Sequence, residues 1–167
     1  MLERLERWLE AAADGLAALA VIATLVLTAV VTFSVAARYV FNAPQIWTDE
    51  LATYMLVVIV FCGLPYSLLT EGHIRADMIV ERLSEKQRWY CNVFAHIAGL
   101  VLAFFLLHGV ISAVLNFIRR NTHSSDGMQI PLWIPACVMV IGATLFLAAM
   151  LLRAVRLCVR GSPAFSA

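Results

Sequence analysis

Charge is what this chain has least of. Lysine, arginine, aspartate and glutamate make up 14% of its 167 residues, against about a quarter in an ordinary soluble domain. The few there are cluster. Leu16–Ala37, Leu51–Leu69, Trp89–Ile118 and Leu132–Leu152 contain none, in runs of 22, 19, 30 and 21 residues. About 20 apolar residues cross a bilayer core as a helix. Lipid admits only helices and closed barrels, and unbroken apolar runs of this length exclude alternating barrel strands. The sequence predicts an all-α membrane protein of four transmembrane helices with short interfacial amphipathic helices. It is read as one four-helix domain over 1–167, with spans at about 16–37, 51–69, 89–118 and 132–152.

Other absences exclude chemistry. The spans hold no Asp or Glu for a proton relay, and the chain has no GxxxxGK[ST] nucleotide loop. No pair of Gly/Pro-broken helices recurs in matching halves to form a midplane substrate site. The four cysteines, Cys62, Cys91, Cys137 and Cys158, lack metal-like spacing and read as small apolar fillers. No catalytic group, cofactor, metal centre or nucleic-acid surface is expected. His96 and His108 are the only His, Lys, Arg, Asp or Glu residues inside the spans. Twelve residues separate them, about 120° of rotation and 18 Å of rise, and no other span offers a histidine for paired haem ligation. A small tetraspan redox anchor or enzyme subunit is the alternative class, and it needs a cofactor site.

What polarity remains is patterned. Thr24, Thr28 and Thr32 form a seam whose hydroxyls are expected to bond back to their own helix. His108, Ser112 and Asn116 form a second seam at i, i+4, i+8. Its functional reading is a docking seam for a partner helix; the expectation is an ordinary contact inside the four-helix bundle. "MLERLERWLEAAADG" is an amphipathic lead-in to the first span. Its n-region is as acidic as it is basic, so the span is read as retained rather than cleaved. Gly63 and Pro65 predict a kink late in the second span. Ser84 and Gln87 form a capping box that opens the third helix, Asp126-Gly127 marks a turn, and Pro131 and Pro135 stand at the start of the fourth helix.

Cations set the orientation. Arg4, Arg7, Arg75, Arg82, Lys86, Arg88, Arg153, Arg156 and Arg160 fall on the side of the termini, whereas Arg38, Arg119 and Arg120 fall on the other. The positive-inside rule places both termini and the 70–88 loop in the cytoplasm. The stretch "RYVFNAPQIWTDEL", Arg38–Leu51, then faces outward. Asn42 and Gln45 offer a capping box with Pro44 in the first turn, and Thr48 offers a second start that puts Asp49 and Glu50 on the positive end of a helix dipole. Tyr39, Phe41 and Trp47 suit headgroup depth. A short interfacial helix or tight elbow is expected, with a salt bridge from Arg38 to Asp49 or Glu50; a plain interfacial loop is the simpler alternative.

"RYVFN" and "WTDEL", then "EGHIRAD" after the second span and "IPLWIP" before the fourth, resemble the small permease subunit of tripartite ATP-independent periplasmic (TRAP) transporters. The resemblance covers nearly the whole chain. It implies a multi-pass protein of the bacterial inner membrane. It also implies two protein partners besides membrane lipids: a large permease subunit and a periplasmic substrate-binding protein that delivers an organic acid. The resemblance further implies that uptake runs on a sodium gradient and that the small subunit scaffolds the large one. By match to the family pattern, Arg38, Trp47 and Glu50 carry over from the first motif, and Gly72, His73, Arg75 and Asp77 from the second, as residues shaping folding and subunit contact.

The charge asymmetry has a direct test. A green fluorescent protein fused after Ala167 should fluoresce, and alkaline phosphatase fused there should be inactive. Phosphatase inserted at Ala43 should be active; the reverse pattern would invert the orientation.

Overall fold

The computed structural model describes residues 2–43, 45–70, 85–124 and 129–160. Four helices account for most of them: α1 (Leu2–Tyr39), α2 (Trp47–Thr70), α3 (Glu85–Arg120) and α4 (Trp133–Arg160). Each is long and apolar enough to cross a membrane. α1 and α3 have 38 and 36 residues, about 57 and 54 Å at 1.5 Å per residue, well beyond a ~30 Å hydrocarbon core. The amphipathic stretch is the first part of α1 and runs into the span without a break. Its backbone bonds are all met by continuing the helix, so nothing separates lead-in from span.

The helices form an open row rather than a closed bundle. α1 packs along α2, α2 against α4, and α4 against α3, while α1 and α4 touch only slightly. α4 therefore lies between two neighbours, and α3 is an edge helix. Lipid tails are as apolar as leucine, so helices associate through close packing of small residues rather than through hydrophobic burial. The buried positions follow that rule: Ala13, Ala20, Ala23 and Ala37 on α1, Ala103 on α3, and Ala136, Ala143 and Ala149 on α4. Large side chains such as Leu25, Phe33, Phe94 and Phe105 point outward, as a lipid solvent allows.

A close backbone approach joins α2 to α4. A Cβ placed on Gly142 would overlap the carbonyl of Phe61. That carbonyl lies four residues before Pro65, which has no N–H to donate to it and whose ring crowds it. Pro65 thus removes the usual helical donor from the Phe61 oxygen, and the backbone of α4 fits against that oxygen only because Gly142 has no side chain. Cys62 and Ala143 are buried on either side. At the far end of α2, Arg153 Nη2 donates to the Leu69 carbonyl over 3.4 Å, a cation placed at the negative end of the helix dipole.

The end of α3 is a Schellman motif. Thr122 N–H donates to Phe117 C=O at 3.1 Å and Asn121 N–H to Ile118 C=O at 3.2 Å, with Asn121 at φ 47°. A narrow ladder follows, with Ser124 N–H bonded to Ile130 C=O, Leu132 N–H to Thr122 C=O, and a bridge between His123 and Pro131. α4 begins two residues later, with Pro135 in its first turn. Ser84 and the Asp126-Gly127 turn lie outside the described residues.

Replacing Gly142 by alanine should force α2 and α4 apart and cost about 1–3 kcal/mol, read as a lower unfolding midpoint in detergent. At Gly109 on α3 an added methyl group would meet nothing within 4 Å. Its alanine variant should hold or raise the midpoint, since alanine is favoured over glycine in a helix by up to about 1 kcal/mol. Equal effects at the two sites would refute the close-contact account.

Candidate functional site at the α1–α2 elbow

Between Tyr39 and Trp47 the chain reverses without a helix of its own. Val40 N–H bonds Ala36 C=O at 2.8 Å, and Ala43 N–H returns to Ala37 C=O at 3.0 Å across Asn42, whose φ is 52°. Asn42 therefore ends α1 and does not cap α2. Asparagine tolerates the left-handed region, whereas an N-cap requires an extended φ. The tight elbow forms and the short interfacial helix does not. α2 starts at Trp47, with Asp49 and Glu50 in its first turn. Gln45, the other half of the expected capping box, instead accepts from Trp47 Nε1 at 3.1 Å. Trp47 also lies 6.3 Å from Phe33, ring to ring, at a tilt of 32°.

Behind this lies a hydroxyl relay. Thr48 Oγ1 donates to the Gln45 carbonyl at 2.8 Å, so its one proton is committed. Ser34 Oγ, 3.0 Å from Thr48 Oγ1, must then donate to it. Thr48 is 1% exposed and Ser34 8%, so the pair ties α1 to α2 where water does not compete. Glu50 is 6% exposed and accepts from Tyr54 Oη at 2.6 Å, one turn along α2. A buried carboxylate is tolerated only with such donors.

Arg38 and Asp49 are both exposed. No ion pair joins Arg38 to Asp49 or Glu50 among the described residues. The expected salt bridge is not made. Both residues instead line a groove of about 210 Å³ between α1 and α2. The Ser34–Thr48 link fixes the spacing of the helices beneath them, and exposed charges gain too little from pairing to close it.

The seam on α3 departs from its expectation. His108 and Asn116 are exposed and Ser112 half-buried. None of the three makes a hydrogen bond among the described residues. α3 packs on α4 through its Gly99, Ala103 and Val110 side, and no closed bundle encloses the opposite face. The threonine seam does what its spacing predicts: Thr24, Thr28 and Thr32 donate to the carbonyls of Ala20, Thr24 and Thr28 at 2.7–2.8 Å. Gly72, His73, Arg75 and Asp77 lie outside the described residues.

Sequence patterning does not single out Ser34 or Tyr54. A signal for Ser34 exists: a hydroxyl off the Thr24–Thr28–Thr32 seam, one turn before Arg38. Its partner 14 residues away leaves no such trace.

Residues 27–160 match the family described as "Tripartite ATP-independent periplasmic transporters, DctQ component". Over 71 residues, 42% of this chain, the sequence is 30% identical to the sialic acid TRAP transporter permease protein SiaT of Haemophilus influenzae, where the match covers 12% of that protein. Over 75 residues, 45% of this chain, it is 28% identical to the sialic acid TRAP transporter small permease protein SiaQ of Vibrio cholerae, covering 43% of it. The matched stretches thus span less than half of either relative.

The relay predicts an order of effects. Thr48→Val removes both bonds and strands the Ser34 hydroxyl, costing about 1–3 kcal/mol, whereas Ser34→Ala leaves Thr48 bonded to Gln45 and costs about 0.5–1.5 kcal/mol. Unfolding in detergent of the two single variants and the double variant should show coupling between them. Strict additivity would mean that the hydroxyls do not interact.

Proposed function

The chain belongs to the DctQ-component family of tripartite ATP-independent periplasmic transporters, a family of transporter subunits and not of enzymes, and from that premise we propose that it scaffolds a larger permease. The uptake would be coupled to sodium, and the substrate an organic acid delivered by a periplasmic binding protein. The relatives whose names include sialic acid support that substrate class, since sialic acid is one. The relative matched over only 12% of its length supports the large partner, because there a stretch like this one belongs to a much longer permease chain.

The observation that carries the scaffold role is the helix row. Its two edges and both broad faces expose apolar side chains, and the runs 16–37, 51–69, 89–118 and 132–152 contain no acidic residue. Such a chain offers surfaces to hold and no coupling group to drive. Within it, the elbow residues Arg38, Trp47, Asp49 and Glu50 shape one end. The exposed His108 and Asn116, with Ser112, offer hydrogen bonds to a partner helix on α3. Gly72, His73, Arg75 and Asp77 are assigned to the cytoplasmic side of the same contact. The protein sits in the bacterial inner membrane with both termini in the cytoplasm.

Extraction in mild detergent at native expression should bring down a much larger membrane protein with this chain. Recovery of the 18.4 kDa chain alone would sink the proposal. Trp47→Ala and Glu50→Arg should each lower co-purification and solute uptake together. Uptake unchanged in both would reduce the elbow to a passive connection.

A further inference from the structure

The groove beneath Arg38 and Asp49 has a polarity gradient along its length. Its elbow end is lined by Arg38, Tyr39 and Asp49, its middle by the Ser34 and Thr48 hydroxyl pair, and its far end by Val31, Val35 and Ala52. Val31, Val35 and Arg38 lie on one stripe of α1, so charge gives way to hydrocarbon over about 10 Å of helix. The charged end is level with the elbow, where Tyr39, Phe41 and Trp47 are exposed at the end of the two spans and aromatics mark headgroup depth. At about 210 Å³ the space is smaller than the ~300–1,000 Å³ pockets that enclose organic substrates. A cation and an anion lining one groove at a bilayer surface, with apolar walls farther along it, complement an amphiphile that carries both charges in its head.

We propose that this groove binds one phospholipid of the ethanolamine class. Its phosphate would take the Arg38 guanidinium, a fork suited to phosphate oxygens. Its primary ammonium would donate to Asp49, and its acyl chain would follow Val31 and Val35. A choline head cannot donate a hydrogen bond to the carboxylate, and a glycerol head brings no cation to it, so the pair selects among phospholipids rather than merely attracting them. The site rests on the membrane placement of the elbow and not on any partner subunit, so its failure leaves the co-purification test untouched.

The full chain would be reconstituted in vesicles holding equal amounts of phosphatidylethanolamine, phosphatidylcholine and phosphatidylglycerol, then released for native mass spectrometry. One ethanolamine phospholipid should be retained in preference to the other two. Arg38→Gln should lower retention of every phospholipid by about tenfold or more, the loss of one charge-assisted contact. Asp49→Asn should keep phospholipid bound but abolish the preference for ethanolamine. Both side chains are exposed, and unchanged helical circular dichroism would confirm that the variants fold. Retention of the three lipids in equal amounts by the wild-type chain would overturn the site. So would an undiminished ethanolamine preference in Asp49→Asn, or a lipid lost on binding a protein partner, which would assign the groove to that partner's side chains.

Discussion

Two helix backbones meet where Gly142 faces the Phe61 carbonyl, and that contact joins the α1–α2 pair to the α3–α4 pair. In lipid, apolar side chains gain nothing from leaving one hydrocarbon for another, so helices must hold each other by proximity. Proximity demands that one backbone be bare at the crossing. Gly142 supplies the bare backbone. Pro65 supplies a carbonyl that its own helix does not fully use. With α4 seated on α2 there, α1 takes the free side of α2, and α3 the free side of α4.

An open row has consequences that a bundle would not. It exposes two broad apolar faces and two edges, and it leaves His108, Ser112 and Asn116 of the edge helix α3 without a hydrogen bond among the described residues. It also leaves the α1–α2 elbow as the place where buried polarity concentrates: Ser34, Thr48 and Glu50 are the polar residues most fully enclosed among those described. Each has a defined bond there, and the hydroxyl relay works because Thr48 can donate only once. The Ser34–Thr48 bond, and not a salt bridge, ties α1 to α2 at the elbow, and Arg38 and Asp49 remain exposed.

Much of this is legible in composition. Helix number, approximate extents and the threonine back-bonds rest on local rules, namely hydropathy over about 20 residues and hydrogen bonding within one turn. The departures share a cause. Asn42 has the neighbours of a capping box, yet the same residue serves equally well in the left-handed conformation that stops a helix. A salt bridge follows from the nearness of opposite charges along the chain, yet its distance depends on how far apart the helices stand. The seam of His108, Ser112 and Asn116 belongs inside a bundle only if four helices make one, and these make a row.

Sequence by itself determined that the chain crosses a membrane, how often, and with which local bonds, because each helix must satisfy its own backbone wherever lipid excludes water. Tertiary structure alone decided which helix is central, which face of α3 is bare, that Ser34 finds Thr48, and that a groove opens between two uncombined charges. Those outcomes hang on contacts between residues far apart in the chain. Such contacts are set by where one backbone can approach another, and no pattern along a single helix records that.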